Sequence, residues 1–331
     1  MKMFSNKELR SMIITLFFEQ LLVMLVGIVD TFVVSSCGEA AVSGVSLVNQ
    51  FNTIFIYLFT ALASGGAIVV SQYIGNKDKE RTILSSSQLL MFSIVFSIIL
   101  SILVLIFNKQ LLGLLFGKVE SDVMEACVTY LRISAYSYPA LAIYNAGAAL
   151  YRSMAKTKVT MYISFVANII NVVGNIIGVY VLKAGVAGVA YPSLISRVFS
   201  AIFITVLCFN KKWEAYYDSK DIFKFDRKML KRILNIAIPN GIENGIFQLV
   251  KVALSSIVAM FGTYQIAANG VAQSIWSLAA LVGSAMGPVF ITVIGQCMGA
   301  KDVDQAKFYF YKLIKWSLVF SIVWNVLVLA I

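Results

Sequence analysis

Residues 12–34 read MIITLFFEQLLVMLVGIVDTFVV, and the reading of this run decides how the rest of the chain is organised. As a helix it rises about 35 Å, enough to cross a bilayer core of about 30 Å. Yet it carries two carboxylates, Glu19 and Asp30. A charge near the membrane centre costs at least about 2.5 kcal/mol, so acids inside such a segment are candidates for function.

Composition agrees with a membrane helix. The 331 residues are 60% hydrophobic and 13% charged, with a mean hydropathy of +0.85. Soluble domains run nearer about 45–50% apolar and about 25% charged. Long apolar runs, in place of the short alternating segments of a barrel, make this an all-α integral membrane protein. The four cysteines (Cys37, Cys127, Cys208 and Cys297) have neither metal-ligand nor disulfide-framework spacing. There is no histidine, so proton chemistry falls to carboxylates. No phosphate-cradling loop, nucleophile constellation or metal motif is present, and the chain reads as a non-enzyme without a cofactor. The basic start MKMFSNKELR leads into a run too long for a signal peptide, with no small-residue cleavage pattern after it. It reads as a retained first helix.

Nine apolar segments can be marked, near 12–34, 45–73, 86–107, 125–149, 160–182, 186–209, 236–261, 265–298 and 309–331. The eighth is long and is expected to tilt or kink around Gly287-Pro288. One set of connecting loops holds nineteen Lys and Arg residues, Arg152, Lys156 and Lys158 among them, while the opposite set holds only Lys109, Lys118 and Lys183. The positive-inside rule then puts the N-terminus and residues 211–232 in the cytoplasm of a multi-pass protein of the cell membrane. The net charge of +11 is therefore mostly topological, and a nucleic-acid partner is not expected.

The basic stretch 211–232 separates six helices from three. A shift of 224 residues places Glu19 on Glu243, Gly38 on Gly262, Gln72 on Gln296 and Gly75 on Gly299, and it brings Lys77-Asp78 onto Lys301-Asp302. From 19 to 82 the identities number 11 of 64, but they include the intramembrane glutamate and the whole Q-x-x-G-x-K-D pattern. The pattern reads as a duplicated six-helix unit. Two such units are parallel and related by an axis along the membrane normal. The expected domains are residues 1–210 as a first six-helix lobe, 211–232 as a linker, and 233–331 as the first three helices of a second, incomplete lobe. The second copy ends at the equivalent of Phe107, and the chain reads as C-terminally truncated.

Asp30 falls on Leu254 in the second copy, so this acid belongs to the first lobe alone. A carboxyl in that position can exchange a proton for Na⁺ or for a cationic solute. The alternative is an acid paired with Arg132, Arg197 or Lys251. Glu19 and Glu243 recur as a pair, which suits an architectural role; a cation pathway is the other reading. In the fifth segment Asn168, Asn171 and Asn175 lie in the membrane, and the last two share a face. Their amide oxygens are acceptable Na⁺ ligands, with interhelical hydrogen bonding the alternative. Lys251, mid-helix, either neutralises an acid across the lobe interface or stands in for a coupling cation. Tyr136, Tyr138 and Met286 could line a cavity suited to flat lipophilic cations, unless they serve as ordinary packing.

Several stretches carry a resemblance. They are V-D-T-F-V-V before Gly38, S-Q-Y-I-G-N-K-D at 71–78, and L-Y-R-S-M-A-K-T-K at 150–158. N-V-V-G-N at 171–175 with G-V-A-G-V-A at 185–190, and I-P-N-G-I-E at 238–243 with I-A-A-N-G at 266–270, complete the set. Together they resemble the multidrug and toxic compound extrusion (MATE) family. The resemblance implies two six-helix lobes around a V-shaped cavity, and antiport in which Na⁺ or H⁺ entry drives export of organic cations and drugs. It also implies that Asp30 is the first-helix coupling aspartate and that Asn171 and Asn175 match a fifth-helix pair beside it. Asn175 stands where some members have a carboxylate. Thr15 stands where a proline is common, a place that Pro239 fills in the second copy. The seventh-helix acid of some members lies deeper than Glu243. The expected partners are small lipophilic cations and membrane lipids, for a monomer. A lipid-linked oligosaccharide flippase of the same superfamily would need more intramembrane bases than Arg132, Arg197 and Lys251. A non-transporting scaffold or receptor fragment is the third reading.

Overall fold

The computed structural model describes residues 3–116, 119–259 and 263–330. Lys2, Lys118 and Gly262, used in the reading above, lie outside them. All regular structure among the described residues is helical. The order is α1 (Asn6–Ser35), α2 (Glu39–Gly75), α3 (Lys79–Ile106), α4 (Asn108–Phe116), α5 (Ser121–Tyr136), α6 (Tyr138–Ser153) and α7 (Thr157–Ile176). A π-helical turn, Ile177–Val181, extends α7. There follow α8 (Ala187–Cys208), α9 (Ser219–Ile222), α10 (Arg227–Ala259), α11 (Thr263–Ala279), α12 (Leu281–Gly299) and α13 (Val303–Ala330).

Among the described residues seven helices are long and apolar enough to cross a membrane. The two remaining apolar segments are α5–α6 and α10. The segment 125–149 is divided at Ser137, because Pro139 in the first turn of α6 has no N–H to carry α5 onward. Helix α10 is continuous, but Asn240, Glu243, Asn244, Gln248 and Lys251 dilute its hydropathy. In the eighth segment a turn at Ala280 separates α11 from α12, although Ile275–Gly299 still forms one candidate span, and Pro288 lies inside α12. A helix can carry a proline where neighbouring helices and side chains satisfy the freed carbonyl.

The helices are patterned inside out. Ile14, Phe18, Ile28 and Phe32 of α1 are each at least half exposed, whereas Ser86, Ser93, Ser97 and Ser101 of α3 are buried. Small side chains let helices approach closely where lipid offers no hydrophobic drive for association. The N-terminal half of α1 packs on α12 and α13 through Leu9, Met12 and Leu16 against Val282, Val289 and Leu313. Its C-terminal end joins a second core with Phe55, Phe59, Tyr130 and Tyr138.

The two Q-x-x-G-x-K-D stretches end their helices alike. Lys77 and Lys301 adopt left-handed φ of 55° and 60°. The Asp78 amide donates back to Tyr73 O and that of Asp302 to Cys297 O, both at 3.1 Å. Each aspartate then caps the next helix, accepting from Arg81 N at 3.1 Å and from Gln305 N at 2.9 Å. The helix ends also cross each other reciprocally. A Cβ at Gly75 would overlap the Gln296 carbonyl oxygen, and one at Gly299 would overlap that of Gln72. Glycine is required at both points because the obstacle is backbone.

Candidate functional site

Helices α1 and α7 run side by side and meet at two polar rungs. Glu19 and Asp30 are eleven positions apart, close to three full turns, so they fall on one face of α1. Facing them, α7 presents Thr160 at one level and Asn171 and Asn175 at the other.

At the rung nearer the N-terminus of α1, Glu19 is 3% exposed. Its Oε1 accepts from an Arg152 guanidinium nitrogen at 2.6 Å, and its Oε2 accepts from the Thr160 hydroxyl at 2.9 Å. Tyr144 donates to the same carboxylate at 3.4 Å. One turn away the hydroxyls of Thr15 and Thr157 bond to each other. Arg152, counted above among loop cations, is thus an interior group. Side chains tilt toward the N-terminus of their helix, so an arginine in the last turn of α6 reaches back into the membrane. Glu243 is exposed, with surroundings unlike those of its repeat partner.

Because Glu19 is buried and paired with Arg152, removing its partner has a definite cost. Arg152→Met is expected to destabilise the protein by about 3 kcal/mol, through an uncompensated buried carboxylate. The double variant Glu19→Gln/Arg152→Met should recover most of that loss. Thermal unfolding of the three proteins in detergent measures it, and equal midpoints for the single and double variants would sink the account.

At the rung nearer the C-terminus of α1, the Asn175 amide donates to Asp30 Oδ1 and to Asn171 Oδ1, the latter at 3.1 Å. Asn171 in turn donates to the Ser193 hydroxyl of α8 at 2.9 Å. Asn175 is fully buried, and its own Oδ1 is left without a donor. A buried acceptor without a partner costs about 1–3 kcal/mol, so the ladder ends on a site that favours a cation or a donor. Nearby, Arg197 donates to Ser137 at 2.7 Å, and Tyr138 donates to Asn52 at 2.7 Å while stacking on Phe55. The ion pairs among the described residues are Arg152–Glu19 and Arg81–Asp78; Asp30 is in neither.

Between the rungs lies an apolar groove of about 300 Å³. Leu22, Val26 and Val29 line it from α1, and Phe165, Ile169 and Val173 from α7. Asn168, grouped above with the other two asparagines, stands apart from the ladder and is the polar residue of this groove.

The remaining candidates are dispersed. Lys251 lies with its amine 3.8 Å from the Trp276 ring centre and 5.1 Å from that of Phe247, a cation–π cradle and not an acid. Tyr138 is 1% exposed and Met286 3%, both in cores, whereas Tyr136 is 53% exposed. Among the described residues no group of three or more Cys, Asp or Glu side chains stands together as a metal site. Arg152 and Ser193 were not singled out for the site by sequence, whereas Arg197, named there as a possible partner of Asp30, donates to Ser137.

The MatE family model matches residues 15–177 and 239–331. The uncharacterized transporter YisQ of Bacillus subtilis is 26% identical over 307 residues, covering 92% of this chain and 67% of its own length. The probable multidrug resistance protein YoeA of the same organism is 26% identical over 275 residues, covering 80% of this chain and 59% of its own. A crystal structure of MATE in the bent conformation superposes with a TM-score of 0.85 at 22% identity, covering 94% of this chain and 69% of that one. At that identity the likeness speaks for the fold alone. The chain spans two thirds or less of the length of these two relatives.

Proposed function

The chain belongs to the MatE family of membrane transporters, and on that premise we propose that the full-length protein is a secondary antiporter exporting organic cations in exchange for Na⁺ or H⁺. The observation that carries the reading is the ladder Asp30–Asn175–Asn171, with its unsatisfied Asn175 oxygen beside a membrane carboxylate. Asp30 holds the coupling ion as carboxylate plus Na⁺ or as the protonated acid. Asn171 and Asn175 supply oxygens and orient it. Occupancy changes how α1 sits against α7, and alternating access follows because a ligand moves an equilibrium by its differential affinity for the two states.

In this reading residues 1–210 form one lobe, 211–232 the linker, and 233–331 the first three helices of the other. Nine spanning units result, with α5–α6 counted as one. The N-terminus and linker face the cytoplasm, the membrane is the cell membrane, and the working unit is a monomer. Glu19 serves as an architectural tie of α1 to α6 and α7. The flippase reading ranks lower: Arg132 is exposed on α5, Arg197 is bound to Ser137, and Lys251 sits against aromatic rings, so the three bases do not converge on a pyrophosphate.

The test is efflux of ethidium from vesicles holding the full-length protein. An inward Na⁺ or H⁺ gradient is expected to accelerate efflux severalfold. Equal flux with and without either gradient would refute antiport and favour a non-transporting role.

A further inference from the structure

Residues 211–232 take no part in the ladder, yet they are not a slack tether. The Tyr217 amide donates to Cys208 O at 2.8 Å, and that of Asp218 to the Ser87 hydroxyl at 3.0 Å. Gln88 of α3 clamps the next turn, donating to the carbonyls of Asp221 and Lys224 and accepting from Asp226 N at 3.1 Å. Ala215 and Tyr217 are buried, and Lys156 lies 3.1 Å from the Trp213 ring centre. From this pinned frame Phe223 and Phe225 point outward, 89% and 72% exposed, with Lys224 between them.

We propose that this loop is a docking surface for an anionic bilayer, with Phe223 and Phe225 inserted at the headgroup–acyl boundary and Lys220, Lys224, Arg227 and Lys228 on acidic headgroups. Depth supports it. The clamp on α3 sits at Ser87 and Gln88, eight and nine residues past Lys79, or roughly 12–14 Å along the axis. A 28-residue helix is about 42 Å long and overshoots a 30 Å core by about 6 Å at each end. By that count the clamp lies about 6–8 Å below the edge of the hydrocarbon core, within the depth that an amphipathic segment reaches from the headgroup–acyl boundary.

Charge supports it too. The stretch holds eight Lys and Arg residues against Glu214, Asp218, Asp221 and Asp226. Two of those acids are committed to backbone, since Asp218 accepts from Lys220 N and Asp226 from Met229 N. All eight bases are exposed. Aromatic rings flanked by lysine and arginine on a rigid frame match a surface that is apolar beneath and anionic above.

The experiment reads lipid contact and not flux, so it is independent of the antiport reading. In the full-length protein with Cys37 and every cysteine outside residues 1–331 replaced by Ser, Phe223→Cys carries a nitrobenzoxadiazole label, since Cys127, Cys208 and Cys297 are buried. It is reconstituted in phosphatidylcholine vesicles with or without phosphatidylglycerol. The expected result is quenching by nitroxide lipids and at least about threefold weaker quenching by aqueous iodide when anionic lipid is present, because each basic residue favours that surface severalfold. Lys220→Gln/Lys224→Gln/Lys228→Gln should erase the dependence on anionic lipid. Iodide access in both vesicles would show a water-facing loop and overturn the proposal. A label reached by neither quencher would show a protein partner there and overturn it equally. Lipid contact that ignores both phosphatidylglycerol and the lysine changes would overturn the anionic recognition.

Discussion

Gly299→Ala and Gly75→Ala are each expected to lower the thermal midpoint by several degrees, while Gly283→Ala on the same helix as Gly299 is neutral or slightly stabilising. The difference is geometric. At Gly299 a new methyl would sit 2.6 and 2.7 Å from the Gln72 carbonyl carbon and Cα. At Gly75 it would sit 2.7 and 2.8 Å from the same atoms of Gln296. Nothing lies within 4 Å of a methyl at Gly283. Side chains could rotate away, but helix backbone cannot, so α2 and α12 must separate along their crossing. That strains the neighbouring contact of Gly295 with the Ser71 Cβ, where a methyl would have only 2.8 Å. Overpacking of this kind costs about 1–3 kcal/mol. If the two helix ends part during transport, the same energy shifts the two-state population by roughly 5–150-fold toward the parted form. Cysteine crosslinking of engineered pairs across the α2–α12 crossing reads that shift. Melting of Gly299→Ala and Gly75→Ala indistinguishable from Gly283→Ala would mean the crossing is not tight.

Asp30→Asn is expected to reduce gradient-driven efflux at least about tenfold while leaving the fold intact, because it removes the ion-dependent difference between the two states. The variant is nearly isosteric, and Asn175 can still donate to the remaining side-chain oxygen. A neutral amide is also cheaper to hold in the membrane than a carboxylate, so unfolding should occur at the same temperature or higher. Loss of coupling with stability retained is the signature of a functional acid; loss of both would make Asp30 structural. Asn175→Ala tests the same rung from the other side. It should weaken coupling less than Asp30→Asn, since the carboxylate survives and only its donor is lost. Gradient-driven efflux within twofold of the parent protein for Asp30→Asn would exclude the mechanism.

Parts of this were open to reading from residues. Asn171 and Asn175, four apart, had to share a helix face, and the structure places both on the rung that bonds Asp30. The break before Pro139 falls inside the single segment marked at 125–149, although proline removes a backbone donor wherever it stands. The turn at Ala280 was not legible either, because Gly287-Pro288 is the stronger local signal, yet Pro288 lies inside α12. Arg152 was misread as a loop charge for a related reason: hydropathy places Cα atoms, whereas a long side chain chooses its own depth.

Sequence alone determined that the chain is helical and membrane-spanning, where most helices lie, and that Gln72 to Asp78 recur at Gln296 to Asp302. Those properties depend on hydrophobicity and periodicity, which are local. Tertiary structure alone decided that Glu19 meets Arg152, that Asp30 meets Asn175, and that Gly75 and Gly299 press on each other's neighbouring backbone. Each of those pairings joins residues more than 130 positions apart. In a medium without water, a polar group must take its partner from whichever helix packs beside it. That choice belongs to the packing of the helices and not to any one of them.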